Sequence, residues 1–88
     1  MKVQRKAVTA ATPVTFEFDV SSNQFLVKNF TADVIAVEIL DAEILIPAYS
    51  AQMIVTRLEP REGDLTNTLT VTAEITDETG VEIQCLNY

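Results

Sequence analysis

Residues 25–58, FLVKNFTADVIAVEILDAEILIPAYSAQMIVTRL, hold three of the most apolar segments of this 88-residue chain. One of them, Val34–Leu40, is apolar at every position except Glu38, and its β-branched residues favour a pleated strand over a helix. The next, residues 43–46, ends at Pro47, which cannot donate a backbone hydrogen bond to a sheet. The stretch therefore predicts closely spaced strands, one of them apolar on both faces, whose cover comes from a second sheet or from another subunit.

Alternating apolar and polar residues on either side of this stretch predict further strands. The alternation is strict in Val14–Val20 and again in residues 69–75. Polar residues 21–24 predict a hairpin between Val14–Val20 and residues 25–30, and residues 76–80 predict a second hairpin, with Gly80 at a position of positive φ. The sequence thus predicts an all-β fold: a small two-sheet antiparallel β-sandwich of about seven strands, jelly-roll-like, with a small barrel as the alternative.

The length of the chain suits a single domain, which we place at residues 13–88. Residues 1–12 hold three of the six basic residues, Lys2, Arg5 and Lys6, and little apolar content. We predict that they form a flexible basic N-terminal arm, which is either a solvated terminus or an electrostatic tether to an acidic neighbour. Deleting the arm is expected to leave the fold intact.

The net charge of −7 restricts the kinds of partner. It repels nucleic acid and anionic membranes, so neither is predicted as a main partner. The sequence shows neither a signal-peptide core nor an apolar run long enough to span a bilayer. Cys85 is the single cysteine, which excludes an intramolecular disulfide and indicates a reducing compartment, and its alternation with Val81 and Ile83 predicts a buried thiol.

Residue types that carry out catalysis are sparse. The chain has no histidine, which removes the commonest general base and metal ligand. Glu38, Asp41 and Glu43 are close enough in sequence for an acid–base pair, but the ordinary surface preference of carboxylates favours a solvated strand edge. Two acidic pairs are potential calcium ligands, although their spacing fits no calcium motif: Glu62 with Asp64, and Asp77 with Glu78. We predict no catalytic residue, no metal site and no cofactor, and hence a protein that is not an enzyme.

Two segments around the central strand carry a resemblance to a known class of proteins. Phe25–Thr31 (FLVKNFT), followed by an apolar strand and then by Ile46–Gln52 (IPAYSAQ), resembles small virion structural proteins of phages and prophages from Gram-positive hosts, some of them base domains of head-fibre proteins. The resemblance implies a structural, self-associating subunit, located in the virion or the host cytoplasm, with other virion proteins as candidate partners. Because the chain stops soon after its last predicted strand, we expect a base or decoration subunit rather than a whole fibre.

A different function stays open beside this one. The chain is alternatively a small protein- or carbohydrate-binding β module that acts through its loops. Such a module requires a concave pocket lined by Tyr49, Tyr88 or other exposed aromatic side chains.

The central stretch also predicts a homo-oligomer, and the resemblance implies a trimer. Ile35, Val37 and Ile39 point to one side of their strand and Val34 to the other, so one subunit with two layers leaves an apolar face exposed. A second copy would cover that face, and the alternative is cover by loops or by the N-terminal arm. The predicted interface residues are Val34, Ile35, Val37, Ile39, Ile44 and Ile46.

Overall fold

The computed structural model of the protein describes residues 2–56 and 65–86, and within them the chain forms strands connected by turns and loops. These strands are β1 (Lys2–Val8), β2 (Val14–Ser22), β3 (Gln24–Asn29), β4 (Ile35–Ile39), β5 (Ala42–Ile46), β6 (Ala51–Val55), β7 (Thr66–Ala73) and β8 (Asp77–Leu86).

The strands form two four-stranded sheets with the orders β1-β8-β3-β6 and β2-β7-β4-β5. Every pair of neighbours is antiparallel. This order is the one that defines an eight-stranded jelly roll. The predicted antiparallel β-sandwich is therefore confirmed, and the two separate sheets replace the barrel alternative.

Consecutive strands lie in opposite sheets except for β4 and β5, which pair with each other as a hairpin. In this hairpin Ile35 stands opposite Ile46, and Ile39 stands opposite Ala42. The two hairpins predicted from the sequence are wrong for this reason. β2 and β3 belong to different sheets, and so do β7 and β8. Their short connections cross from one layer of the sandwich to the other instead of turning back within one layer.

The core lies between the two sheets and takes one side chain in two from most strands. Its fully buried members come from both layers: Phe16, Ile35, Val37, Ile46, Leu69 and Val71 from one sheet, and Phe25, Val27, Val81, Ile83 and Cys85 from the other. Phe18 and Phe25 pack across the layers, with ring centroids 6.1 Å apart. The predicted burial of the Cys85 thiol is confirmed.

Residues 2–8, predicted as part of a flexible arm, instead form the edge strand β1. It pairs with β8, with Lys2 opposite Cys85 and Lys6 opposite Val81, and Val8 is buried in the core. The predicted boundary at residue 12 is therefore wrong, because the core includes the start of the chain. Gly80 has a φ of 67°, as predicted, and a Cβ at this position would lie 1.9 Å from the carbonyl oxygen of Lys6. Only glycine lets β1 approach β8 this closely.

Candidate self-association surface

The predicted interface residues lie mainly in the core of the subunit itself. Ile35, Val37, Ile39 and Ile46 are buried under the opposite sheet, so the prediction that they contact another copy is wrong. The prediction failed because it took the strand to be apolar on both faces. On the outer face of β4, Ala36 is half-buried and Glu38 is exposed, and this face can meet water.

The two remaining predicted interface residues have partial exposure. Val34, just before β4, is half-buried, and Ile44 on β5 is half-buried with its side chain packed against the core. Since β5 is the edge strand of its sheet, Ile44 is the one of these two residues that lies on a strand with a free edge. A self-association surface therefore has to be sought at the edges of the sandwich.

One flank of the sandwich, formed by the edge strands β1 and β2, is closed by polar side chains. We call it the closed flank. Lys6 donates from Nζ to the carbonyl oxygen of Thr15 at 2.8 Å, and Gln4 donates from Nε2 to that of Glu17 at 2.6 Å. Lys2 reaches Asp19 at 3.4 Å. The basic side chains of the predicted arm thus contact the body of their own subunit.

Several features of the closed flank oppose edge-to-edge pairing with another chain. The pairing register shifts between Lys6 and Val8 in β1, and again between Glu17 and Ser22 in β2. Lys2, Gln4 and Lys6 stand opposite core residues of β8 and point inward. Inward-pointing charges and β-bulges on edge strands are the devices by which natural sheets prevent the addition of further strands.

The opposite flank, formed by the edge strands β5 and β6, has a different character, and we call it the open flank. Most of the exposed large apolar side chains of the described residues lie on it or in its turns: Leu40, Leu45, Tyr49, Met53 and Val55. Leu45 is 61% exposed and Tyr49 is 74% exposed. Such a grouping marks an interaction surface more often than scattered apolar residues do.

β6 is the part of the open flank best suited to pairing. Its sequence, AQMIV, contains no charged residue, whereas the other three edge strands each carry at least one. Its pairing with β3 keeps one register throughout, from Gln24 opposite Val55 to Lys28 opposite Ala51. A short, regular and uncharged edge strand offers its outer N–H and C=O groups as a template for another strand.

A cavity of about 190 Å³ lies between the sheets at one end of the open flank. Its walls are aliphatic apart from one threonine, and they come from both layers: Ile39, Leu40, Ala42, Ile44, Ile54, Val55 and Thr56. Tyr49 does not line it, since the connection from β5 to β6 lies at the other end of both strands. The pocket expected for a loop-based binding module is thus not formed by Tyr49, and Tyr88 lies outside the described residues.

The three carboxylates that were considered for an acid–base pair, and expected instead on a solvated strand edge, lie on the surface. Glu38 and Glu43 are direct cross-strand neighbours on the outer face of the β4–β5 hairpin, and both are exposed. Asp41 lies in the turn that joins the two strands and is also exposed. Like charges directly opposite each other on a solvated sheet face are mildly destabilising, and water screens them.

The acidic pairs suggested for calcium have separate outcomes. Asp77 is half-buried at the start of β8, and Glu78 beside it is exposed. Hydrogen bonds from the hydroxyl and the backbone N–H of Thr79 lower the pKa of Asp77 below its ordinary value. Glu62 and Asp64 lie outside the described residues. Across residues 2–56 and 65–86, no three acidic, cysteine or histidine side chains group closely enough to hold a metal ion.

Comparison of the chain with protein families, curated proteins and solved structures finds no match. Within the part of the chain that the structure describes, there is no helix of the length and apolarity needed to cross a membrane.

The open flank was not predicted from the sequence, because the interface was assigned to the most apolar segment of the chain. The useful signal was weaker: Leu45, Met53 and Val55 are apolar although each lies next to a core residue, Ile46 or Ile54, whose side chain points the other way. Once the strand order places β5 and β6 at the edges, those outward apolar positions mark a surface.

Proposed function

We propose that this protein is a non-enzymatic structural subunit of a phage or prophage virion, and that it self-associates through the open flank. The observation that carries the proposal is the contrast between the two flanks. The closed flank joins its two edge strands by side-chain hydrogen bonds, while the open flank presents apolar side chains and an uncharged edge.

The virion context rests on the resemblance of Phe25–Thr31 and Ile46–Gln52 to phage structural proteins. The jelly-roll order adds support by analogy, since this architecture recurs in viral capsid proteins, although it also occurs in lectins and enzymes. The trimer implied by the resemblance stays a prediction.

Contact through the open flank has a physical rationale in both backbone and side chains. Pairing of β6 with a strand of another copy would satisfy N–H and C=O groups that otherwise depend on water. It would also remove Met53 and Val55 from solvent, where burial contributes about 25 cal/mol for each Å² of apolar surface. Pairing of two β6 strands buries no charged side chain of β6, because β6 carries no charge, so no cost of removing a charge from water opposes these gains.

The experiment that tests the proposal compares two substitutions on one row of side chains. Pairing places Val3 beside Gln84, Gln84 beside Leu26, and Leu26 beside Met53, so Val3 and Met53 occupy opposite ends of a single row on the same outer face. Their exposures are also similar, 48% for Val3 and 44% for Met53. Met53→Lys and Val3→Lys therefore add the same charge to the same face at opposite edges.

We expect sedimentation velocity over a concentration series to show self-association of the unmodified protein. Met53→Lys should shift the protein to monomer, whereas Val3→Lys should leave the association unchanged. Circular dichroism of both variants should match the parent, since both positions face solvent. A parent protein that stays monomeric throughout the series would overturn the proposal, and so would equal effects of the two variants.

A further inference from the structure

The open flank carries a projecting aromatic side chain at one end and an apolar cavity at the other. Tyr49 is the most exposed large apolar side chain of the described residues, and it lies in the connection between the end of β5 and the start of β6. The cavity lies at the opposite end, where the turn between β4 and β5 meets the end of β6. The two features are thus separated by the length of a five-residue strand.

We propose that Tyr49 of one copy inserts into this cavity of a second copy. The inference rests on the proposed self-association and specifies its contact. A two-fold rotation about the middle of the flank exchanges its ends, so each copy presents its tyrosine to the cavity of the other. A contact of this kind is isologous, because both copies use the same surface patch, and it closes a dimer in place of the trimer that the resemblance implies.

The register of β6 shows that the exchange fits the geometry of strand pairing. If two β6 strands pair antiparallel about Met53, Ala51 of one copy stands opposite Val55 of the other. Ser50 then stands opposite Thr56, and Tyr49 arrives beside the mouth of the cavity that Val55 and Thr56 help to line. Met53 meets Met53 of the second copy, so no charged residue lies in the paired strands.

The cavity matches the tyrosine side chain in size and polarity. Its volume is about 190 Å³, and an apolar protein cavity of about 150 Å³ is large enough to take up benzene. Its aliphatic walls suit the ring of Tyr49, and its three exposed wall residues, Leu40, Ala42 and Val55, place its mouth at the surface. The phenol hydroxyl can remain at that mouth in water, as buried tyrosines require for their polar tip.

The backbone at Tyr49 is tied to the body of its own subunit. Its φ is 55°, in the left-handed region, and its N–H donates to the carbonyl oxygen of Thr31 at 3.2 Å. The side chain therefore projects from a turn that is fixed to the body of the subunit.

A complementation experiment tests the insertion with two variants. Tyr49→Ala removes the tyrosine and keeps the cavity, while Ala42→Phe places an aromatic ring in the cavity wall and keeps the tyrosine. Each variant alone should associate at least tenfold more weakly than the parent in sedimentation velocity. Mixing them should restore association in part, because the mixed dimer regains one of its two contacts, between the tyrosine of the Ala42→Phe variant and the open cavity of the Tyr49→Ala variant. Tyr49→Phe should associate like the parent.

A second measurement examines the cavity without relying on assembly. The Met53→Lys variant is titrated with p-cresol, the side-chain analogue of tyrosine, and its methyl resonances are followed by NMR. Saturable shifts confined to the methyl groups of the residues that line the cavity are expected, and Ala42→Phe introduced into this variant should abolish them.

The outcomes separate this inference from the proposed function. A parent that associates while Tyr49→Ala associates equally well overturns the insertion and leaves the proposed self-association standing. Mixed variants that stay as weak as each alone also overturn it, as does the absence of saturable p-cresol shifts. A monomeric parent overturns the self-association itself.

Discussion

The side chain of Asn29 is buried at the end of the sandwich where β3 ends and the β4–β5 hairpin opens. Its Nδ2 donates to the carbonyl oxygens of Asp33, Ile46 and Pro47 at 2.9, 3.1 and 3.0 Å. Its Oδ1 accepts from the backbone N–H and the hydroxyl of Thr31 at 2.9 and 2.7 Å. One amide therefore joins a strand of one sheet to the chain on either side of the hairpin in the other.

Replacing Asn29 by alanine should be among the most destabilising single changes in the chain. The substitution removes the amide partner of the buried Ile46 carbonyl and of the buried Thr31 N–H, and each such group costs about 1–3 kcal/mol when it is left unsatisfied. We expect the free energy of unfolding in urea to fall by about 3 kcal/mol, with the sheets still forming. Asn67→Ala is the control, because its amide donates to the Phe18 carbonyl in a part-buried position and should cost about 1 kcal/mol. Equal losses for the two variants would show that the Asn29 network does not join the sheets.

At the scale of the strand, β1 shows what an edge element contributes. Its side chains Lys2, Gln4 and Lys6 cover the core row Cys85, Ile83 and Val81 and hydrogen-bond to β2 on the other side. Lys6 also lies over the Phe16 ring, with its Nζ 5.4 Å from the centroid. The aliphatic stems of the two lysines thus lie along the core while their charged ends reach solvent or carbonyl oxygens.

Deleting residues 2–8 should therefore destabilise the domain and open the core beside β8. Burial raises the pKa of the Cys85 thiol and shields it, so the parent should react with a thiol reagent only on unfolding. In the truncated protein we expect labelling of Cys85 to speed up at least tenfold and the melting temperature to fall. Full-length Val3→Ala is the control, since Val3 is an exposed side chain on the outer face of β1, beside Gln84, and its removal should matter little. Unchanged labelling of Cys85 after truncation would contradict this prediction and would support a fold that does not need the N-terminal residues.

The pattern that repeats every second residue predicted β2 and β7, which bury one face against the core and carry polar residues on the other. β4 was predicted from its β-branched, almost wholly apolar sequence, and the structure shows that its outer face carries Ala36 and Glu38. β1 was not predicted as a strand because its inward-facing residues, Lys2, Gln4 and Lys6, are polar although they lie beside core side chains. Such a strand has no hydrophobic period, so only its pairing with β8 identifies it.

The pairing of strands was harder to predict than their positions. The polar residues 21–24 look like a hairpin turn, yet β2 continues to Ser22 and the chain then crosses to the other sheet at Asn23. A short polar connection permits both outcomes, and the choice depends on which layer buries the next strand. The predicted interface on β4 failed for the same reason. Which face of β4 is buried depends on where the other sheet packs, and the sequence of β4 alone does not specify this.

For the whole molecule, the net charge of −7 opposes any contact between two copies. The open flank reduces this cost by using the uncharged β6, but β5, its other edge strand, carries the exposed carboxylate of Glu43. At low ionic strength the repulsion extends about 30 Å, and at 0.1 M salt it is screened beyond about 10 Å. Self-association should therefore strengthen several-fold as NaCl is raised from about 10 to about 300 mM.

The direction of this salt effect distinguishes two kinds of contact. An interface held by ion pairs between Lys2, Arg5 or Lys6 and carboxylates of another copy would weaken with salt, as the tether hypothesis for the N-terminal arm requires. An interface of paired backbone and apolar side chains gains, because screening removes repulsion and leaves its attractive terms intact. Glu43→Gln removes one carboxylate per copy at the open flank, so it should tighten association at low salt and flatten the salt dependence. Dissociation constants from sedimentation velocity across the salt series provide the measurement, and weakening of the parent on adding salt would place its contact on charged residues instead of the open flank.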